Sequence, residues 1–142
     1  MSTESAFTRS KKIRFQHCDP AGMVFYPQYL VLFHELIEDW FILGLHIPYA
    51  EFISVQRMGI PTVHIECDFH SPSRLGDNLD MHLNVAKLGR TSIAFELSAC
   101  HGGQRRASIR QTVVLICLDS GQPLPLPDEL VSRVKPFTLD KK

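Results

Sequence analysis

The chain has 142 residues, the size of one ordinary domain, and 44% of them are hydrophobic, enough for a core of normal size. Its 15 basic and 15 acidic residues cancel to a formal net charge of zero. That balance argues against a disordered chain and offers little electrostatic steering toward nucleic acid.

Met1 to Lys12 is polar, carries Arg9, Lys11 and Lys12, and has no apolar run that could serve as a signal peptide. Phe7 to Gln16 can form a first strand. A turn-rich stretch follows, His17-Cys18-Asp19-Pro20-Ala21-Gly22, and then Met23 to Tyr26. Pro27 suits the first turn of a helix, where its missing N–H has no intrahelical acceptor to lose. The helix is expected from about Pro27 to Leu43, with Gly44 as its C-terminal stop. Tyr29, Phe33, Leu36, Ile37, Trp40 and Phe41 share one face, and Leu30, Leu32 and Leu43 widen it. A helix apolar over that much of its surface must be wrapped, and a curved sheet is the natural wrapper. His34, Glu35, Glu38 and Asp39 interrupt the apolar run, which argues against a membrane span.

The second half reads as strands. Thr62–His70, Asn78–Leu88 and Thr91–Ala99 each alternate apolar and polar residues with period two, the mark of half-buried strands. Ala107–Leu118 is apolar on both sides, so its second face should be covered, and another subunit could do so. Leu88-Gly89-Arg90 and His101-Gly102-Gly103-Gln104 read as hairpin turns. Asp128 to Val134 suits a short terminal helix. The expected class is α+β, a single domain over residues 1–142 with an antiparallel sheet around one long helix. Cys18, Cys67, Cys100 and Cys117 form no C-x-x-C pair and read as reduced thiols in a cytosolic protein.

The segment from His17 to Gln28 carries the most chemistry. Asp19 is a carboxylate in a Pro/Gly turn shortly before a long buried helix. Helix N-termini present free N–H groups and a partial positive charge, which suits a developing oxyanion. A carboxylate beside them can act as a nucleophile or as a general base on water, so the pair is a candidate acyl-transfer site. The plainer reading is a simple turn, since Asp, Pro and Gly are common turn formers.

The stretch from Phe15 to Tyr29, with Asp-Pro-Ala-Gly, two apolar residues, an aromatic pair, Pro, any residue and Tyr, resembles the N-terminal motif of the Pseudomonas-type 4-hydroxybenzoyl-CoA thioesterase family. Gly59-Ile60-Pro61-Thr62-Val63 is similar to that family too. The resemblance implies a hotdog fold and hydrolysis of an acyl-CoA thioester. It assigns Asp19 as the catalytic carboxylate, with backbone N–H groups around Phe25 and Tyr26 polarising the carbonyl. It implies a substrate pocket from His17, Gly22, Pro27, Thr62 and the helix positions His34 and Glu35. Family members that read a ring hydroxyl do so with a helix carboxylate, and His34 stands there in this chain. Lys87, Arg90, Thr91 and Ser92 are the implied CoA contacts. The implied assembly is a homodimer or homotetramer with active sites at the subunit interface, needing no cofactor, nucleic acid or membrane. The acyl group is expected to be aromatic, such as 4-hydroxybenzoyl or benzoyl, with short or medium chains as the alternative.

Other features carry less. The seven histidines form no H-E-x-x-H and no Cys/His cluster, so a metal site is not expected. Cys18 points away from Asp19 if the segment is extended, and is assigned to packing. Arg105 and Arg106 read as hairpin surface or phosphate contacts. The rival functions are a hotdog dehydratase, which needs a histidine working with an acid, and a non-catalytic acyl-CoA-binding domain, which needs no Asp19.

Overall fold

A computed structural model describes residues 6–139. Its elements are strand β1 (Phe7–Lys12), helix α1 (Pro27–Asp39), helix α2 (Tyr49–Ser54), strands β2 (Met58–Gly59), β3 (Thr62–Phe69), β4 (Asn78–Leu88), β5 (Ser92–His101), β6 (Gln104–Val114) and β7 (Ile116–Cys117), and helix α3 (Asp128–Val134). Five strands form one antiparallel sheet in the order β1-β4-β5-β6-β3, and β2 pairs with β7 in a small second ribbon. The sheet is not a simple succession. β3 skips β4 to pair with β6, and the vacant side of β4 takes β1.

Alternation decides what faces α1. Leu79, Met81, Leu83 and Val85 of β4, Ile93, Phe95, Leu97 and Ala99 of β5, and Ala107, Ile109 and Val113 of β6 turn inward and are buried. Against them lie Tyr29, Leu32, Phe33, Leu36 and Ile37 of α1, spaced to cover one helix face. Trp40 plugs the far end, edge-on to Phe41, Phe95 and Phe137 with ring centroids 5.2–5.8 Å away.

Several boundaries differ from the sequence reading. The first strand stops at Lys12, because the chain then turns through a short 3-10 segment, Phe15–His17. α1 ends at Asp39 and continues as one π-helical turn, Trp40–Gly44. Gly44 is needed for closeness rather than for a left-handed turn, since a Cβ there would stand 2.8 Å from the Trp40 ring. The second apolar face of Ala107–Leu118 needs no partner to explain it. The run breaks after Val114, and Ile116 and Leu118 pack over Gly59 of the small ribbon. The largest difference is β3. Expected to be half-buried, it is the sheet's outer edge, with Val63, Ile65 and Phe69 exposed.

Candidate active site

Asp19 sits at the tip of a small hairpin. Its N–H donates to the Met23 carbonyl at 2.9 Å, Cys18 bridges Val24, and the Phe25 N–H donates to the His17 carbonyl at 3.0 Å. Gly22, at φ +79°, makes the reversal that other residues resist. The two carboxylate oxygens are unequal. Oδ1 accepts from the Ala21 and Met23 N–H groups at 2.9 and 3.3 Å, which locks the loop. Oδ2 has no partner among the described residues and is the oxygen available for chemistry.

Of the two implied oxyanion donors, only one is free. The Phe25 N–H is spent on His17, whereas the Tyr26 N–H, at the N-cap of α1, has no acceptor among the described residues. Tyr26 is about three extended residues, roughly 10 Å of chain, from the point opposite Asp19. The exposed rings of Phe25 and Tyr26 meet at 5.5 Å, and Tyr26 meets Phe69 of β3 at 5.9 Å. An aromatic surface therefore runs from the free N–H to the sheet edge.

His17 departs from its implied role as an open substrate contact. It is buried, and its Nδ1 accepts the Arg14 N–H at 2.9 Å, bracing the 3-10 turn. Burial pushes its pKa down, with Arg14 and Lys11 adding to the shift and Glu35 opposing it. Cys18 packs against the core. Burial, and then the Asp19 charge, push its thiol pKa up, so it makes a poor thiolate.

The two helix candidates part company. Glu35 leans toward β1, 3.6 Å from Lys11 Nζ, next to the Asp39 carboxylate. Helical spacing puts His34, like Leu30, on the flank away from β1 and toward β3. Pro27 opens α1 beside Tyr26. Thr62 and the CoA candidates lie elsewhere. Thr62 starts β3, its Oγ1 accepting from Gln111 Nε2 at 2.7 Å, while Phe69 ends it, seven residues or about 23 Å further on. Lys87, Arg90, Thr91 and Ser92 surround the β4–β5 turn, and β5 carries the chain some 30 Å from there to the end near Asp19. One protomer does not bring these residues to Asp19.

The sequence missed the support behind the loop. The segment Ser73–Asp77 backs the hairpin: the Val24 N–H donates to the Ser73 carbonyl and the Leu75 N–H to the Gly22 carbonyl, both at 2.9 Å. Arg106, read as hairpin surface or a phosphate contact, is mostly buried behind this segment. Its partners on this segment lie 29 to 34 residues away, so no local pattern signalled them. A cavity of about 290 Å³ opens between α2 and α3, lined by Ile47, Phe52, Met58 and Leu130, at the other end of α1 from Asp19. Among the described residues no three His, Cys, Asp or Glu side chains are grouped to hold a metal ion, and no helix is long and apolar enough to cross a membrane.

Residues 13–134 match the model of the thioesterase-like superfamily. The chain belongs to that superfamily. It is 37% identical over 121 residues to the 1,4-dihydroxy-2-naphthoyl-CoA hydrolase of Synechococcus elongatus, covering 83% of this chain and 87% of that one. A thioesterase-superfamily structure from Jannaschia sp. CCS1 superposes with a TM-score of 0.89 at 26% identity, over 96% of both chains. The structure of a 1,4-dihydroxy-2-naphthoyl-CoA thioesterase from Synechocystis superposes with a TM-score of 0.79 at 27% identity, over 91% of this chain and 95% of that one. The fold is thus the hotdog fold that the motif implied, and the chain is an enzyme, a thioesterase. The narrower Pseudomonas-type 4-hydroxybenzoyl-CoA assignment gives way to the superfamily, since these curated relatives act on a naphthoyl thioester.

Proposed function

We propose that this thioesterase hydrolyses an aromatic acyl-CoA to the free acid and CoA, with a hydroxylated ring such as 1,4-dihydroxy-2-naphthoyl as the leading candidate. The observation that carries the reading is that one short segment holds a carboxylate oxygen, Asp19 Oδ2, and an N–H, that of Tyr26, neither with a partner among the described residues, and that the Phe25, Tyr26 and Phe69 rings adjoin that N–H. The thioester carbonyl accepts from the Tyr26 N–H as negative charge develops on its oxygen. Asp19 Oδ2 either attacks the carbonyl carbon, expelling CoA thiolate and leaving a mixed anhydride that water then hydrolyses to the free acid and the Asp19 carboxylate, or takes a proton from a water that attacks the carbonyl carbon. In both routes the proton released from that water goes to the departing CoA thiolate. Phe25, Tyr26 and Phe69 offer ring faces to an aryl group, which an aliphatic chain exploits less well. His34, on the flank of α1 away from β1, is the helix side chain that the motif resemblance sets against a ring hydroxyl. The chemistry asks for no cofactor.

The site is completed by a second copy of the chain. β3 is an exposed sheet edge with apolar Val63, Ile65 and Phe69, the kind of edge that pairs with another strand. Antiparallel addition of a second β3 would bring the Thr62 end of one copy beside the Phe69 end of the other. That explains how Thr62, and basic residues such as Lys87 and Arg90, serve an Asp19 that their own chain keeps distant.

The test is CoA release, read with a thiol-reactive dye, from benzoyl-, 4-hydroxybenzoyl-, 1,4-dihydroxy-2-naphthoyl-, butyryl- and palmitoyl-CoA. The reading expects the highest kcat/KM on an aromatic thioester. A preference for butyryl- or palmitoyl-CoA removes the aromatic substrate.

A further inference from the structure

We propose that Arg106 is a positioning residue for this hydrolysis, fixing the Asp19 loop against the N-terminus of α1 through Ser73, Asp77 and Tyr29. The inference rests on the thioesterase reading above and adds to it the device that sets the distance between carboxylate and N–H. Asp19 and Tyr26 belong to one short segment, and both the Asp19 hairpin and the start of α1 are held from behind by the same stretch of chain. The Asp19 hairpin leans on the Ser73–Asp77 segment through two backbone hydrogen bonds, which make Met23 and Arg74 a bridged antiparallel pair. The start of α1 leans on the same segment through a side chain: Tyr29 Oη donates to Ser73 Oγ at 2.7 Å, with both residues buried.

Arg106 holds that shared segment in place from β6. Its Nη1 donates to the Pro72 carbonyl at 2.8 Å, to Asp77 Oδ2 at 3.0 Å and to Ser73 Oγ at 3.3 Å, and its Nε donates to Gln104 Oε1 at 2.9 Å. Asp77 Oδ2 also accepts the Arg74 N–H at 2.9 Å, so the same carboxylate closes the loop on itself. The Arg74 N–H and Arg106 lower the Asp77 pKa, consistent with a charged pair at neutral pH. Nη1 alone reaches all three acceptors of the segment while Nε anchors the guanidinium plane on Gln104; a lysine ammonium can keep the charge but not that second anchor. Without the Arg106 side chain the Ser73–Asp77 segment keeps its backbone bonds to Ile13 but loses its fastening to β6, so the common support of hairpin and helix start is free to shift. The expected cost falls on the reaction step, because small misplacements of reacting groups slow it by up to about 100-fold.

The experiment compares wild type with Arg106→Gln, Arg106→Lys, Tyr29→Phe and the control Arg133→Gln, using benzoyl-CoA as substrate and urea melts for stability. Arg133 makes a comparable set of bonds, to the Leu45 and His46 carbonyls and Glu129, at the other end of the molecule. The proposal expects kcat to fall about 10- to 100-fold in Arg106→Gln with KM changed less than about threefold, and to recover partly in Arg106→Lys. Tyr29→Phe, which removes one hydroxyl and keeps the ring, should lower kcat by roughly threefold or more with the fold intact, so a failure of Arg106→Gln to fold leaves the question decidable. Arg133→Gln should lose stability and keep wild-type kcat. If kcat in Arg106→Gln or Tyr29→Phe stays within about twofold of wild type, the positioning role is wrong while the thioesterase reading stands. A wild type inert on every thioester sinks both.

Discussion

In the dimer proposed above, replacing Ile65 with lysine should separate the two copies and silence both sites. Charge selects the pairing register of the exposed β3 edges. A two-fold axis at Glu66 or Cys67 would face Glu66 with itself or with Asp68, whereas an axis at Ile65 sets His64 opposite Glu66 and Ile65 opposite itself. Ile65 is 43% exposed, and full burial of such a side chain is worth about 1.5–3 kcal/mol, so each copy gains about 1 kcal/mol at this position. Two lysines facing each other forfeit both gains and add a like-charge contact of about 1 kcal/mol in water. The sum, about 3 kcal/mol, is roughly a 100-fold weaker dimer. Sedimentation velocity over a concentration series measures the shift, and CoA release at the same concentrations follows the activity. A variant that is monomeric yet fully active would refute the shared site. Unchanged association would refute the edge pairing.

Other expectations follow from single contacts. Trp40→Ala should cost about 3–5 kcal/mol in a urea melt. Trp40→Phe should cost clearly less than Trp40→Ala, because it keeps most of the ring packing and the buried indole N–H has no acceptor among the described residues to lose. Gly22→Ala, at φ +79°, should lower stability by about 1 kcal/mol and slow hydrolysis by loosening the Asp19 hairpin. His17 has a folded pKa below its ordinary 6.5, so the folded state resists its protonation. Its contribution is fully present above that unfolded value and is lost as pH falls below it toward the folded pKa. His17→Asn, which keeps an acceptor for the Arg14 N–H, should flatten that part of the pH dependence of the melting temperature.

What could be read along the chain was what local chemistry dictates. The Pro27 start of α1, the alternation of β4 and β5, the Gly102-Gly103 turn and the Asp128–Val134 helix are all set by neighbours in sequence. Asp19 stood out as a candidate through the resemblance of its Asp-Pro-Ala-Gly motif, because the turn taken alone reads as a plain turn. Pairing partners were not. Val63, Ile65 and Phe69 alternate like a half-buried strand, and only the long-range choice of β6 over β4 leaves them on an open edge. Phe25 and Tyr26 looked equivalent as donors until the hairpin consumed one N–H. Arg106 looked like hairpin surface because its acceptors lie on a loop some thirty residues away.

The most direct test of the central claim is turnover by Asp19→Asn. The amide oxygen of asparagine can accept from Ala21 and Met23 as Oδ1 does, so the loop and its affinity for ligand should survive. Only the reactive carboxylate is lost. The account predicts that kcat on the best thioester falls by about 100- to 10,000-fold, the usual worth of such a group, while calorimetry finds CoA binding within about threefold of wild type. An Asp19→Asn protein that turns over at the wild-type rate would contradict the assignment of Asp19 as the group that performs the hydrolysis.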